Sequence, residues 1–264
     1  MARTATLRLA CALLFAPIAA AGQSPGPLVT DRPDQTESAV SVGAGLVQLE
    51  VGWTHFRDEV GGTTLSGSSL PETLVRIGLG AGLEARLGFG GWATVNASPE
   101  MGPDVDASGL GDGSVGVKWS AAETAGGLRF ALLGTLSVPI GEEGFSSDHA
   151  DPSLRALVSH PVGERVSFGY NLGIARVTDA AGTGTEAPYT FAVGLGLSDR
   201  VGVFVESFGA FGLGDDRPTV HSADTGLTLL LSDMLQLDVS GGVGLNEAAD
   251  DWFVGSGVSL RIPR

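Results

Sequence analysis

About twelve times between Leu46 and Ile262 the chain alternates apolar residues with small or polar ones, each time for about ten positions. A period of two marks a strand with one greasy and one polar face. Ten residues is also the span of a tilted strand across a bilayer, with every second side chain facing lipid. The connections between the runs sort by length, with longer ones near positions 64, 104, 145, 183, 215 and 248 and tight ones near 81, 163, 199 and 233. The expectation is an all-β, antiparallel, up-and-down transmembrane barrel of about twelve strands of the outer-membrane type. An even strand count puts both termini in the periplasm and the longer loops outside. A secreted β-sandwich also alternates, but it needs neither strands of such uniform length nor connections sorted by parity.

Arg3 and Arg8 precede an apolar run from Leu9 to Ala21 that closes on Ala19, Ala20 and Ala21, which predicts a cleaved signal peptide over residues 1–22. That run is too short to span the hydrocarbon as a helix, and no later stretch reaches the roughly 18 apolar residues a spanning helix requires. A helical membrane protein is therefore excluded. The single cysteine, Cys11, lies inside the run, so the mature chain has no disulfide and no cysteine metal site. Residues 23–44, rich in Pro, Ser and acids, form a periplasmic or lumenal N-terminal segment ahead of a barrel over 45–264. If the segment folds inward as a plug, Asp31, Arg32, Asp34 and Glu37 are its candidate contacts.

The 41 glycines suit a barrel that bends and whose lumen is crowded, as at Gly52, Gly88, Gly116, Gly194 and Gly241. A net charge of −15 argues against binding nucleic acid through its phosphates. More than half of the acidic residues fall in the expected outer loops, making one face anionic. Pairs there such as Asp104 with Asp106, or Asp250 with Asp251, lack the spacing of a calcium loop, so a solvated surface is the preferred reading over cations bridging to lipopolysaccharide. No cofactor is expected.

The alternation sends a set of charges inward: Glu50, Glu72, Glu84, Asp112, Glu206, Asp224 and Asp238, with Arg76, Arg86, Lys118, Arg129, Arg155 and Arg261. Such a lining forms either a polar constriction that selects solutes or a paired network filling a narrow barrel. Any single residue fits the network better; the set as a whole fits a solute path. Catalysis is not expected. His55 and His221 sit near strand ends, His149 in a loop, and Ser159 and His160 point to opposite faces; no Gly-x-Ser-x-Gly or His-Glu-x-x-His motif is present.

The stretch Thr30-Asp31-Arg32-Pro33-Asp34-Gln35-Thr36-Glu37-Ser38, then Leu46-Val47-Gln48-Leu49-Glu50, Gly109-Leu110-Gly111-Asp112, Gly202-Val203-Phe204-Val205-Glu206, Leu235-Gln236-Leu237-Asp238 and Trp252-Phe253-Val254-Gly255 carry a resemblance. They resemble the outer-membrane transporter family labelled "MetA pathway of phenol degradation". The resemblance spans nearly the whole mature chain and implies transport linked to aromatic catabolism; it supplies no binding residue. It departs at the end, Leu260-Arg261-Ile262-Pro263-Arg264, where such barrels usually finish on an aromatic. The functional expectation is a channel passing small solutes, phenolic compounds among them, by passive diffusion. Its partners would be outer-membrane lipid and lipopolysaccharide, the barrel-assembly machinery and a small solute, with the oligomeric state open. A structural or adhesive barrel, or an outer-membrane lipid hydrolase, is the alternative.

Overall fold

A computed structural model describes residues 26–179, 182–214 and 217–263; the expected signal peptide lies outside the described residues. The chain runs through β1 (Leu46–Val60), β2 (Thr63–Gly80), β3 (Leu83–Phe89), β4 (Trp92–Pro99), β5 (Val105–Leu110), β6 (Gly113–Glu123) and β7 (Arg129–Val138). It continues through β8 (Pro152–Val162), β9 (Val166–Asp179), β10 (Gly182–Gly196), β11 (Val201–Leu213), β12 (Val220–Ser232), β13 (Leu235–Gly244) and β14 (Trp252–Pro263). β3 and β4 pair with the two halves of β2 and are one stave broken at Gly90 and Gly91. β5 and β6 are likewise one stave broken at Gly111 and Asp112. The segments thus form twelve antiparallel staves, and β1 closes the cylinder by pairing with both β2 and β14. Closure leaves the backbone groups of the wall paired within the sheet, as hydrocarbon demands.

Polarity is inverted relative to a water-soluble domain. Val205 is 62% exposed and Leu172 61%, while Arg76, Lys118, Glu50 and Glu84 are at 0%. The greasy faces read from the sequence therefore point outward, and the charges point into the lumen. Aromatic clusters sit on the outer wall: His55 beside Trp53 and Trp252, and Tyr189 with Phe211 and His221. Amphipathic rings of this kind suit a membrane–water boundary. Among the described residues no helix is long and apolar enough to cross a membrane.

A crease crosses the first four staves. β1 is bulged between Gly52 and Thr54, opposite Glu72 and Ser69 of β2, and the two broken staves interrupt at the same level. Gly90 N–H bonds to the Asp112 carbonyl, and Gly111 N–H to that of Gly91, so register survives the break. Gly91 has φ +81°, and a side chain there would strike the Pro71 carbonyl, so only glycine fits. Beyond the crease β1, β2, β4 and β5 project from the barrel, with Ser66, Ser68, Thr94, Asn96 and Asp106 around a cleft on this extension.

Two of the expected loops are corrected by the strands' length. The connection near 64 is a turn at Gly61 and Gly62, and near 183 β10 already begins, at Gly182. Outside the hydrocarbon both faces of a strand are polar, so the alternation fades while backbone pairing continues. The long loop near 145 is real. It covers the free edge of β5, where Glu142 N–H bonds to the Leu110 carbonyl.

Candidate functional site

Residues 26–44 run inside the barrel. They enter beside Arg261, turn near Asp34, and return to β1 past Gly78, whose missing side chain leaves room for the Gly43 carbonyl. Having no strand partner of its own, this segment bonds to side chains of the wall, stave after stave. Asp31 and Arg32 donate their N–H groups to Glu50 (3.1 and 3.0 Å), Gln35 to Glu206 (2.7 Å), and Glu37 to Asn171 (2.7 Å). On the way back, Ala39 donates to Ser159 (3.0 Å), Ser41 to Ser120 (3.0 Å) and Val42 to Glu84 (2.7 Å). Polar lumenal side chains thereby satisfy backbone groups that are out of reach of any ladder.

Charge fixes the middle of the path. Asp31 accepts Arg86 at 2.5 Å, Lys118 at 2.8 Å and Arg76 at 3.3 Å, all within one buried cluster. Arg76 also meets Glu50 (3.0 Å) and Glu84 (2.9 Å), and Arg86 reaches Glu37 (2.7 Å). The wall alone contributes three cations and two carboxylates here; Asp31 of the segment supplies the missing negative charge, and Glu37 adds a further contact to Arg86. Buried charges persist when paired and fully hydrogen-bonded. Shape adds to charge, because a side chain at Gly52 or Gly257 would overlap the Arg32 guanidinium, which reaches Glu72 and Asp238 at 3.5 Å each. On the far wall Ala39 packs against Ala131, Leu133 and Leu157, an apolar seat for the segment.

Most of the expected lining residues therefore converge on the N-terminal segment. Glu50, Arg76, Glu84, Arg86 and Lys118 form the cluster around Asp31, while Glu206 and Asp238 hold Gln35 and Arg32. Arg261 bonds the Pro27 carbonyl near the inner end. Glu72, Arg155, Asp34 and Glu37 border a cavity of about 420 Å³ above the segment. Asp224 pairs in register with Glu206. Two residues lie elsewhere. Asp112 sits in the stave break and anchors the outer loop, accepting the N–H groups of Gly141 (3.0 Å) and Ser147 (2.9 Å). Arg129 is on the inner rim in an exposed pair with Glu123 at 2.8 Å. Parity told which face these residues occupy but not their depth.

Sequence reasoning missed the lumenal phenylalanines. Phe56, Phe208 and Phe253 line a second cavity near the outer mouth with Thr54, Ser222 and Asp250. They escape the alternation rule because it assigns large apolar residues to lipid. The signal was in the parity itself, since Phe56 continues the Glu50, Gly52, Thr54 series and Phe208 follows Glu206. At the mouth, burial and then the carboxylates of Asp58 and Asp251 push the Asp250 carboxyl above its ordinary range. Among the described residues no group of His, Cys, Asp or Glu has the arrangement of a metal site. His55 Nδ1 lies 2.8 Å from Ser68 Oγ, a pairing that the sequence did not reveal, but among the described residues no carboxylate orients that ring.

The family model described as "Putative MetA-pathway of phenol degradation" matches residues 30–262. The chain belongs to that family. No curated protein sequence matches it. Among solved structures, an outer membrane channel from Pseudomonas putida F1 superposes with a TM-score of 0.67 at 12% identity, over 85% of this chain and 98% of that one. The NanC porin gives 0.55 at 12% identity, over 81% and 100% of the two chains. The translocator domain of the autotransporter NalP from Neisseria meningitidis gives 0.54 at 14% identity, over 84% and 90%. These likenesses establish a barrel of the outer-membrane kind. At such identities they share the fold alone, with channels and a translocator domain equally among them.

Proposed function

We propose that this protein is an outer-membrane channel for small solutes whose lumen is closed at rest by residues 26–44. Its solutes would pass by diffusion once that segment moves aside. The observation that carries this reading is the charge network: Asp31, from a segment with no strand partner, balances a cluster that the wall leaves one negative charge short. A barrel built only for adhesion or stiffness has no need of a separable filler held largely by side chains. The family description supports small aromatic solutes, phenols among them, and so do the phenylalanines of the outer lumen. In the membrane the longer loops would face the cell exterior and lipopolysaccharide, with the inner end toward the periplasm.

The test is conductance in planar bilayers together with uptake of labelled phenolic compounds by cells. Deleting residues 23–42 is expected to raise single-channel conductance and to speed uptake relative to the full mature chain. Equal conductance for the two proteins would reject closure by the segment, and electrically silent membranes with both would reject the channel reading.

A further inference from the structure

The outer cavity, of about 330 Å³, combines two chemistries. Its walls carry Phe56, Phe208 and Phe253; the last two rings meet edge-on with centroids 6.0 Å apart. Glycines hold the rings in place, since the Phe56 ring fills the side-chain position of Gly67 and the Phe253 ring that of Gly242. The floor is Gln35, whose N–H is bonded to Glu206. Opposite Glu206 stands Asp224, only 5% exposed, and among the described residues no donor outside this acidic pair reaches either of its carboxylate oxygens. The polar group beside it is the Glu206 carboxyl, and the two carboxyls are hydrogen-bonded to each other with no cation between them. Asp34 lies within electrostatic reach of both, and Asp250 stands at the mouth. Of the bases in this half Arg32 is engaged with Glu72 and Asp238, while Arg155 lies within electrostatic reach of Glu37 and borders a separate small cavity with Gln35 and Phe208.

A chamber with aromatic walls, Asp250 in its lining and the Glu206–Asp224 acidic pair beneath its floor is complementary to a positive charge on an organic body. Phenyl faces attract a cation through their quadrupole and cover its hydrocarbon, and the carboxylates gain the counter-charge they lack. An anion would be repelled, and a neutral phenol would gain apolar contact alone. We infer that this chamber is a binding subsite for small organic cations, an ammonium group carried on an aromatic or alkyl body. The inference rests on the channel reading for its purpose but is testable without it, because binding needs no passage.

The full mature chain in detergent would be titrated with benzyltrimethylammonium, phenol and benzoate by calorimetry. The cation is expected to bind about tenfold more tightly than either of the others. Phe253→Leu and Phe208→Leu should each weaken the cation about fivefold, and Asp224→Asn should weaken it while leaving phenol unchanged. Heat-modifiable migration on gels would show that each variant still forms a barrel. Equal affinity for phenol and cation, preference for benzoate, no binding of any of the three, or wild-type cation affinity in Asp224→Asn would each overturn the inference. In the last case the charge of the Glu206–Asp224 pair would not reach the chamber. A preference for the cation in a protein that stays silent in bilayers after deletion of 23–42 would sink the channel reading and leave the subsite standing.

Discussion

The two halves of the lumen hold their charges differently. In the inner half Asp31, Glu50 and Glu84 are matched by Arg76, Arg86 and Lys118 in direct contact, and little is left for a ligand to satisfy. In the outer half Glu206 faces Asp224 without an intervening base, and phenylalanines replace polar neighbours. The same inward parity thus yields a closed lock below and an unsatisfied chamber above. Saturation marks what the barrel keeps; the deficit marks what it can receive.

Breaking the lock should have the largest effect. Asp31→Asn leaves Arg86 and Lys118 without their shortest contacts inside a buried cluster, and removing one partner of such a network costs about 3 to 5 kcal/mol. The cost should fall on the seating of the segment, because strand pairing is unchanged. Protease cleavage within residues 26–44 should therefore become fast in Asp31→Asn at an unaltered barrel melting temperature; a protected segment would show that the lock lies elsewhere.

In the outer half a comparable change should be mild. Phe253→Leu conserves apolar character and should cost under about 1.5 kcal/mol in thermal unfolding, with its main effect on cation affinity. A larger loss would mean that the rings serve packing.

The smallest effect concerns pH at the mouth. Burial and the neighbouring Asp58 and Asp251 raise the Asp250 carboxyl above its unfolded value, so the folded loop favours the protonated form. The penalty is present at neutral pH and disappears as pH falls through the raised value toward the ordinary carboxylate range near about 4. Amide exchange in residues 245–251, corrected for intrinsic rate, should be slower at the acidic end; faster exchange there would reverse the sign.

Much of this was legible in the chain. Period two placed Val47, Leu49 and Val51 on lipid and Gln48 and Glu50 in the lumen, because strand geometry leaves no other choice once one face is apolar. Depth along the stave was not legible, which is why Asp112 and Arg129 were grouped with residues far from them. The extension escapes the pattern because His55 to Val60 and Thr63 to Ser69 carry polar residues on both faces, so no period-two contrast marks them. Leu133, Leu157 and the three phenylalanines broke the pattern for a reason that only the folded lumen supplies: each inward apolar residue borders the N-terminal segment or the chamber above it. That segment has no periodicity to read, since its shape is set by partners up to 235 residues away.

Whether residues 26–44 close the pore is open to a redox lock. Thr36 and Thr190 touch through their hydroxyls at 2.7 Å, and residues 23–264 contain no cysteine, so Thr36→Cys with Thr190→Cys would tie the segment to β10. In an Asp31→Asn background the account predicts bilayers that are silent when the pair is oxidised and conducting after reduction. Equal conductance in the two states would contradict it.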